Sequence, residues 1–81
     1  TVGIVSGGGP LDVPQAVADG LDAFVTGESA HQVYHYCREE GINAFFAGHY
    51  RTETYGPKAL AAWLARETGL ETTWLDVPTG L

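Results

Sequence analysis

His49 and Glu53 are the two residues in this sequence whose types and spacing best suit metal chemistry. They lie four residues apart in the run Gly-His-Tyr-Arg-Thr-Glu, on a predicted turn that leads into a helix. This spacing can bring an imidazole and a carboxylate to one side of the chain, and Zn, Mn, Fe and similar cations accept that ligand pair. A surface histidine beside a surface glutamate would have the same spacing. Spacing alone therefore leaves both the metal site and the surface pair open.

A second polar run, Thr-Gly-Glu-Ser-Ala-His, contains Glu28 and His31. Glu28 precedes a predicted helix and His31 lies in its first turn. A carboxylate in that place is stabilised by the helix dipole without any further function. His35 lies one turn beyond His31 and could form a ligand pair with it, but Arg38 shares that face and favours a solvated flank.

The glycine-rich run from Ser6 to Pro10 could present backbone N–H groups to an anion in front of a helix. It is not a Gly-x-Gly-x-x-Gly motif, because Asp12 occupies the last glycine position, and it lacks the Gly-Lys-Ser/Thr of a Walker loop. The simpler interpretation is a tight strand-to-helix turn in which side chains would clash. Cys37 fits the buried stripe of its helix, so we expect no nucleophilic role for it.

Strands and helices alternate along the chain. Apolar runs rich in β-branched residues predict buried strands, and runs with helical periodicity that stop at glycine predict helices. The predicted strands are Val2–Val5, Ala23–Thr26, Ile42–Ala47 and Thr72–Val77, and the predicted helices are Leu11–Asp19, one from Ser29 to Gly41 and one from near Thr54 to Gly69. This βαβαβαβ order predicts one α/β domain over residues 1–81, a three-layer sandwich with a mostly parallel sheet.

Three details of the predicted helices can be checked against a structure. Ser29 and Gln32 have the spacing of a capping box at the start of the second helix. Pro57 would fall in the first turn of the third helix, where its missing N–H costs nothing. The buried stripe of the third helix is expected to consist of Leu60, Trp63 and Leu64.

The first three predicted strands each end in a small residue followed by glycine, at Ser6-Gly7, Thr26-Gly27 and Ala47-Gly48. Ligands of open α/β sheets bind beyond the carboxyl ends of the strands. Ionisable residues follow two of these glycine positions, namely Glu28, His31, His49 and Glu53. The sequence therefore predicts a site at this edge of the sheet.

Composition restricts the class of protein. The chain has 81 residues, of which 44% are hydrophobic, and a net charge of −6. The hydrophobic content argues against disorder. The negative net charge makes duplex nucleic acid and anionic membranes poor partners. A single thiol, the absence of a leader and the absence of a long apolar run predict a cytoplasmic protein without membrane spans. Thr1 is not an initiator methionine, so we expect a fragment of a longer protein.

Three runs of this sequence resemble the NGG-one-interacting-factor-three family. They are Gly3-Ile4-Val5-Ser6-Gly7-Gly8-Gly9, Ala23-Phe24-Val25-Thr26-Gly27-Glu28 and Ala47-Gly48-His49-Tyr50-Arg51-Thr52-Glu53. The resemblance covers nearly the whole chain in order, and the third run is the most specific. Members of this family are often called type 2 GTP cyclohydrolase I or dinuclear metal-binding proteins.

The resemblance implies that His49 and Glu53 are ligands of a centre with two divalent metal ions, such as Zn, Mn or Fe. Glu28 and His31 would lie beside the centre or face the substrate, with a role in proton transfer. The other ligands of the family come from an N-terminal segment with paired histidines and an aspartate. This chain contains neither, since Gln32 follows His31, so the resemblance assigns it to the C-terminal portion of such a protein.

The implied chemistry is metal-assisted hydrolysis of a small molecule, with a nucleotide-like substrate as one candidate, in a protein that assembles as a dimer or hexamer. The fragment alone would be inactive. Two alternatives stay open. One is a regulatory protein-interaction module that retains the fold without catalysis. The other is a phosphate or nucleotide binder that uses Gly7–Gly9 without metal.

Overall fold

The computed structural model describes all 81 residues and contains three strands, three α-helices and a short 3-10 turn over Pro10–Asp12. The strands are β1 (Val2–Val5), β2 (Ala23–Thr26) and β3 (Asn43–Phe46), and the helices are α1 (Val13–Ala18), α2 (His31–Glu40) and α3 (His49–Thr68). The three strands form one parallel sheet in the order β1-β2-β3. The α/β class and the parallel sheet predicted from the sequence are therefore confirmed.

One face of the sheet carries the core. The strand register aligns Gly3 with Phe24 and Ala44, and side chains two residues apart share a face. Phe24 is buried on this face together with Val13 and Ala16 of α1, Val33 of α2 and Ile42. Cys37 packs against this core, as the stripe of its helix predicted, and partial burial raises the pKa of its thiol.

The other face of the sheet is open, so the expected third layer is not formed by these residues. Val2, Ile4 and Phe45 are exposed on that face. α3 does not cover it, and Leu60 and Trp63 of its predicted buried stripe are 57% and 49% exposed. The stripe prediction was wrong for this chain because a helix buries an apolar face only where another element packs against it.

The predicted fourth strand is also absent. Residues 69–81 form no strand, although Thr72–Val77 has the residue types of one. This tail instead binds Tyr50 at the start of α3. The Tyr50 hydroxyl donates to Asp76 Oδ1 at 2.6 Å and accepts from the Val77 N–H at 2.9 Å. Strand formation needs a neighbour in register, which local sequence cannot supply.

Helix ends were predicted better than helix starts. Gly41 and Gly69 end α2 and α3 in the left-handed conformation, with φ of 74° and 71°, as expected. α2, however, begins at His31 after Ala30, without a side-chain cap from Ser29. α1 is shorter than Leu11–Asp19, because the 3-10 turn replaces its first residues.

α3 begins five residues earlier than near Thr54, at His49, so Pro57 lies inside the helix and not in its first turn. Gly48 adopts a φ of 95°, which lets the chain turn from β3 straight into the helix. Pro57 leaves the Glu53 carbonyl without its helical N–H donor. No helix of the chain is both long and apolar enough to cross a membrane.

Candidate metal centre

The loops after the three strands meet at the carboxyl edge of the sheet, where the sequence predicted a site. Gly7–Gly9 follow β1, Glu28 follows β2, and His49 opens α3 after the two residues that follow β3. Backbone bonds hold these loops together. The Gly27 N–H donates to the Gly7 carbonyl at 2.9 Å, and the Gly48 N–H donates to the Gly27 carbonyl at 3.0 Å.

His49 lies between two carboxylates. Its Nδ1 is 2.8 Å from Glu28 Oε1, and its Nε2 is 3.2 Å from Glu53 Oε1. The side chains are 37% exposed for His49, 42% for Glu28 and 54% for Glu53, so solvent and small solutes reach them. The hydrogen bond to Glu28 raises the pKa of His49, and the nearby charge of Glu53 raises it further.

This arrangement suits a transition-metal ligand pair. A Glu28 carboxylate on Nδ1 fixes the tautomer that leaves the lone pair on Nε2, which is how carboxylates commonly orient ligating histidines. Ligand atoms about 2.0–2.2 Å from a tetrahedral ion are separated by about 3.3–3.6 Å. The separation of 3.2 Å between His49 Nε2 and Glu53 Oε1 lies close to the lower end of this range.

The chain supplies two donors and not a complete site. No group of three or more His, Cys, Asp or Glu side chains surrounds a common point. Glu28 lies on the ring nitrogen that faces away from Glu53, so it supports His49 and does not complete a ligand set. The two donors present therefore fit part of the ligand set of a metal centre.

His31 does not join this cluster, although the sequence placed it beside Glu28. It forms no hydrogen bond or ion pair with Glu28, His49 or Glu53, and it lines a separate, mainly apolar groove of about 560 Å³ between α2 and β3. His35 is exposed and packs edge-to-face on Tyr34. The two histidines form no metal-binding group.

Two threonines that sequence reasoning missed hold the site in place. Thr52 Oγ1 accepts from the Gly7 N–H at 2.8 Å and lies 2.9 Å from the Gly48 carbonyl, to which it donates. Thr26 Oγ1 accepts from the Gly9 N–H at 3.0 Å, and Thr26 is fully buried. A threonine that ends a buried strand, and another three residues after His49, were the available signals.

The sheet is parallel, and His49 lies between two carboxylates at its carboxyl edge. The protein is therefore of the class of α/β domains that carry a polar site at the strand ends. The family model described as Duf34/NIF3 (NGG1p interacting factor 3) matches residues 1–79. The chain belongs to this family.

Several relatives called GTP cyclohydrolase 1 type 2 homolog are similar over nearly the whole chain. The Treponema pallidum protein is 48% identical and the Deinococcus radiodurans protein is 46% identical, each over 99% of this chain. The chain spans 28% and 30% of the lengths of these relatives.

Two solved structures share the fold. The protein ybgI, of unknown function, is 41% identical with a TM-score of 0.89, and a Thermus thermophilus protein is 50% identical with a TM-score of 0.88. Each match covers 96% of this chain, and the chain covers 32% and 31% of those structures.

Proposed function

We propose that this chain supplies His49 and Glu53 to a centre of two divalent metal ions in a hydrolase. The observation that carries the proposal is the position of His49, which is held at Nδ1 by Glu28 and has Nε2 3.2 Å from Glu53. The remaining ligands would come from outside these 81 residues, since the relatives are more than three times as long.

In this proposal each residue has a distinct task. His49 contributes a neutral nitrogen and Glu53 a charged oxygen, while Glu28 orients the imidazole and can accept a proton from it. When bound, a pair of divalent ions polarises an electrophile and makes water a nucleophile near neutral pH. His31 has no task in it, because no contact joins it to the cluster.

The names of the relatives support a nucleotide-like small molecule as the substrate, with hydrolysis of the cyclohydrolase type as the reaction. The same proposal includes bound Zn, Mn or Fe, assembly into a dimer or hexamer, and a cytoplasmic location. The 81-residue chain would bind metal weakly and be inactive, because two protein ligands leave a first-row ion mostly hydrated.

The test compares His49→Ala and Glu53→Gln in the polypeptide that carries these residues. Each should deplete bound metal and hydrolytic turnover together, because one removes a nitrogen ligand and the other a charge. Circular dichroism should stay unchanged, since both residues lie outside the buried core. His35→Ala is the control and should leave metal content and turnover unchanged. Full metal and full turnover in Glu53→Gln would contradict the proposal.

A second candidate function is a protein-interaction module without catalysis. The open apolar face of the sheet favours it, because Val2, Ile4 and Phe45 lie exposed on a parallel sheet, and such sheets are normally covered on both faces. Metal analysis separates the two functions. A protein that binds its partner and never retains divalent metal would favour the module.

A further inference from the structure

Gly7 and Gly8 lie directly against the two carboxylates that flank His49. A Cβ atom on Gly7 would lie closer than 3.0 Å to Glu53 Oε1 and 3.2 Å from His49 Nε2. A Cβ atom on Gly8 would lie 3.1 Å from Glu28 Oε2 and 3.6 Å from His49 Cε1. The two consecutive glycines therefore each face one of the carboxylates.

The glycine loop has little freedom to move away from these side chains. The Gly7 N–H donates to Thr52 Oγ1, the Gly7 carbonyl accepts from Gly27, and the Gly9 N–H donates to the buried Thr26 hydroxyl. The loop is thus tied to both β2 and α3. A side chain on Gly7 or Gly8 would have to displace a carboxylate, because the backbone is held.

We propose that Gly7 and Gly8 are positioning residues that set the width of the His49 site. Gly7 leaves the space in which Glu53 approaches Nε2, and Gly8 leaves the space in which Glu28 holds Nδ1. This inference rests on the proposed function for its metal readout. The glycine run thus acts through the geometry of a metal ligand pair and not as a phosphate-binding loop.

The chain offers a matched control for the backbone. Gly7 and Gly20 both have a φ of 70°, so alanine at either position is strained by the same positive φ. A Cβ on Gly20 meets nothing within 4 Å, whereas one on Gly7 meets Glu53. The difference between Gly7→Ala and Gly20→Ala therefore isolates the collision with the site from the strain of the turn.

The experiment measures divalent metal affinity by titration with Zn or Mn, together with melting temperature, in the polypeptide that carries these residues. Gly7→Ala should lower affinity about 10-fold or more, as changes to groups that support ligands do. Gly20→Ala should keep the parent affinity at a similar melting temperature. Equal affinities in Gly7→Ala and Gly20→Ala would overturn the proposal.

Gly8→Ala tests the second contact without strain from positive φ. It should lower affinity by less than Gly7→Ala, since a Cβ at 3.1 Å requires only a small shift of Glu28.

A readout that needs no metal separates this inference from the proposed function. Imidazole ¹⁵N shifts of His49 report which ring nitrogen carries the proton. Gly7→Ala and Gly8→Ala should change these shifts in metal-free protein, and Gly20→Ala should not. If the parent binds no metal but the shifts change as expected, the metal function fails and the positioning role stands. Unchanged shifts in both site variants would overturn the positioning role.

Discussion

At the scale of single residues, His49 has a different partner on each ring nitrogen. Glu28 accepts from Nδ1 at 2.8 Å, and Glu53 faces Nε2 at 3.2 Å. Both contacts are partly exposed, so neither ion pair is expected to contribute much to the stability of the fold. Their value lies in fixing the direction of the imidazole.

Glu28→Gln should lower divalent metal affinity about 10- to 100-fold without changing the melting temperature much. The amide oxygen can still accept a hydrogen bond from Nδ1, but under the proposed function the charge that would make His49 a stronger ligand is lost. Metal titration and thermal denaturation measure the two effects. Glu39→Gln, on the exposed side of α2, is the matched control, and an equal loss in that variant would contradict a local role for Glu28.

At the scale of elements, the C-terminal tail is attached to α3 by a polar contact in place of a strand. Asp76 accepts from the Tyr50 hydroxyl, and Lys58 Nζ lies 4.8 Å from the centre of the Trp74 ring. The hydrogen bond from Tyr50 lowers the pKa of Asp76 below its ordinary value of 3.8. The charged carboxylate therefore favours the docked tail.

Acid should release the tail before the helices unfold. Because the pKa of Asp76 is lowered in the docked state, its contribution is present above pH 3.8 and is lost as pH falls through the docked pKa. Trp74 fluorescence in a Trp63→Phe background should report release below pH 3.8, with far-UV circular dichroism unchanged. Tyr50→Phe should remove this transition, and a transition that persists there would show that Asp76 is not its cause.

At the scale of the whole molecule, the sheet has one covered face and one open face. The core consists of five buried hydrophobic residues on the covered side, and the extents of 50 × 26 × 14 Å reflect two layers with α3 projecting from them. Small domains bury a limited fraction of their surface, so the free energy of unfolding of this chain is expected to be small. The open face leaves Val2, Ile4 and Phe45 exposed to solvent.

The isolated chain should associate through this face. Ile4 is 75% exposed on the open apolar face of the sheet, so Ile4→Lys should shift the sedimentation profile toward the monomer and reduce binding of a hydrophobic dye. Leu75→Lys is the control, because Leu75 is 78% exposed on the tail and not on the sheet. An equal effect of both substitutions would show that general charge, and not the face, controls association.

The sequence predicted where the site lies but not which residues form it. His49 and Glu53 were placed together by their spacing and by the edge of a parallel sheet, and the structure brings them into contact. Glu28 and His31 looked equivalent, yet only Glu28 meets His49. The direction of a side chain at a strand-to-helix turn depends on backbone angles that residue types do not specify.

The three strands that the structure contains, the glycines that end α2 and α3, and the α/β class followed from the sequence alone. Apolar runs and the glycines at positions 41 and 69 act over a few residues, so their effect needs no tertiary context. The missing fourth strand, the exposed stripe of α3 and the open face of the sheet were decided only by the tertiary structure. Each depends on whether a partner element is present to pair with or to cover it, because strand pairing and burial are contacts between distant parts of a fold.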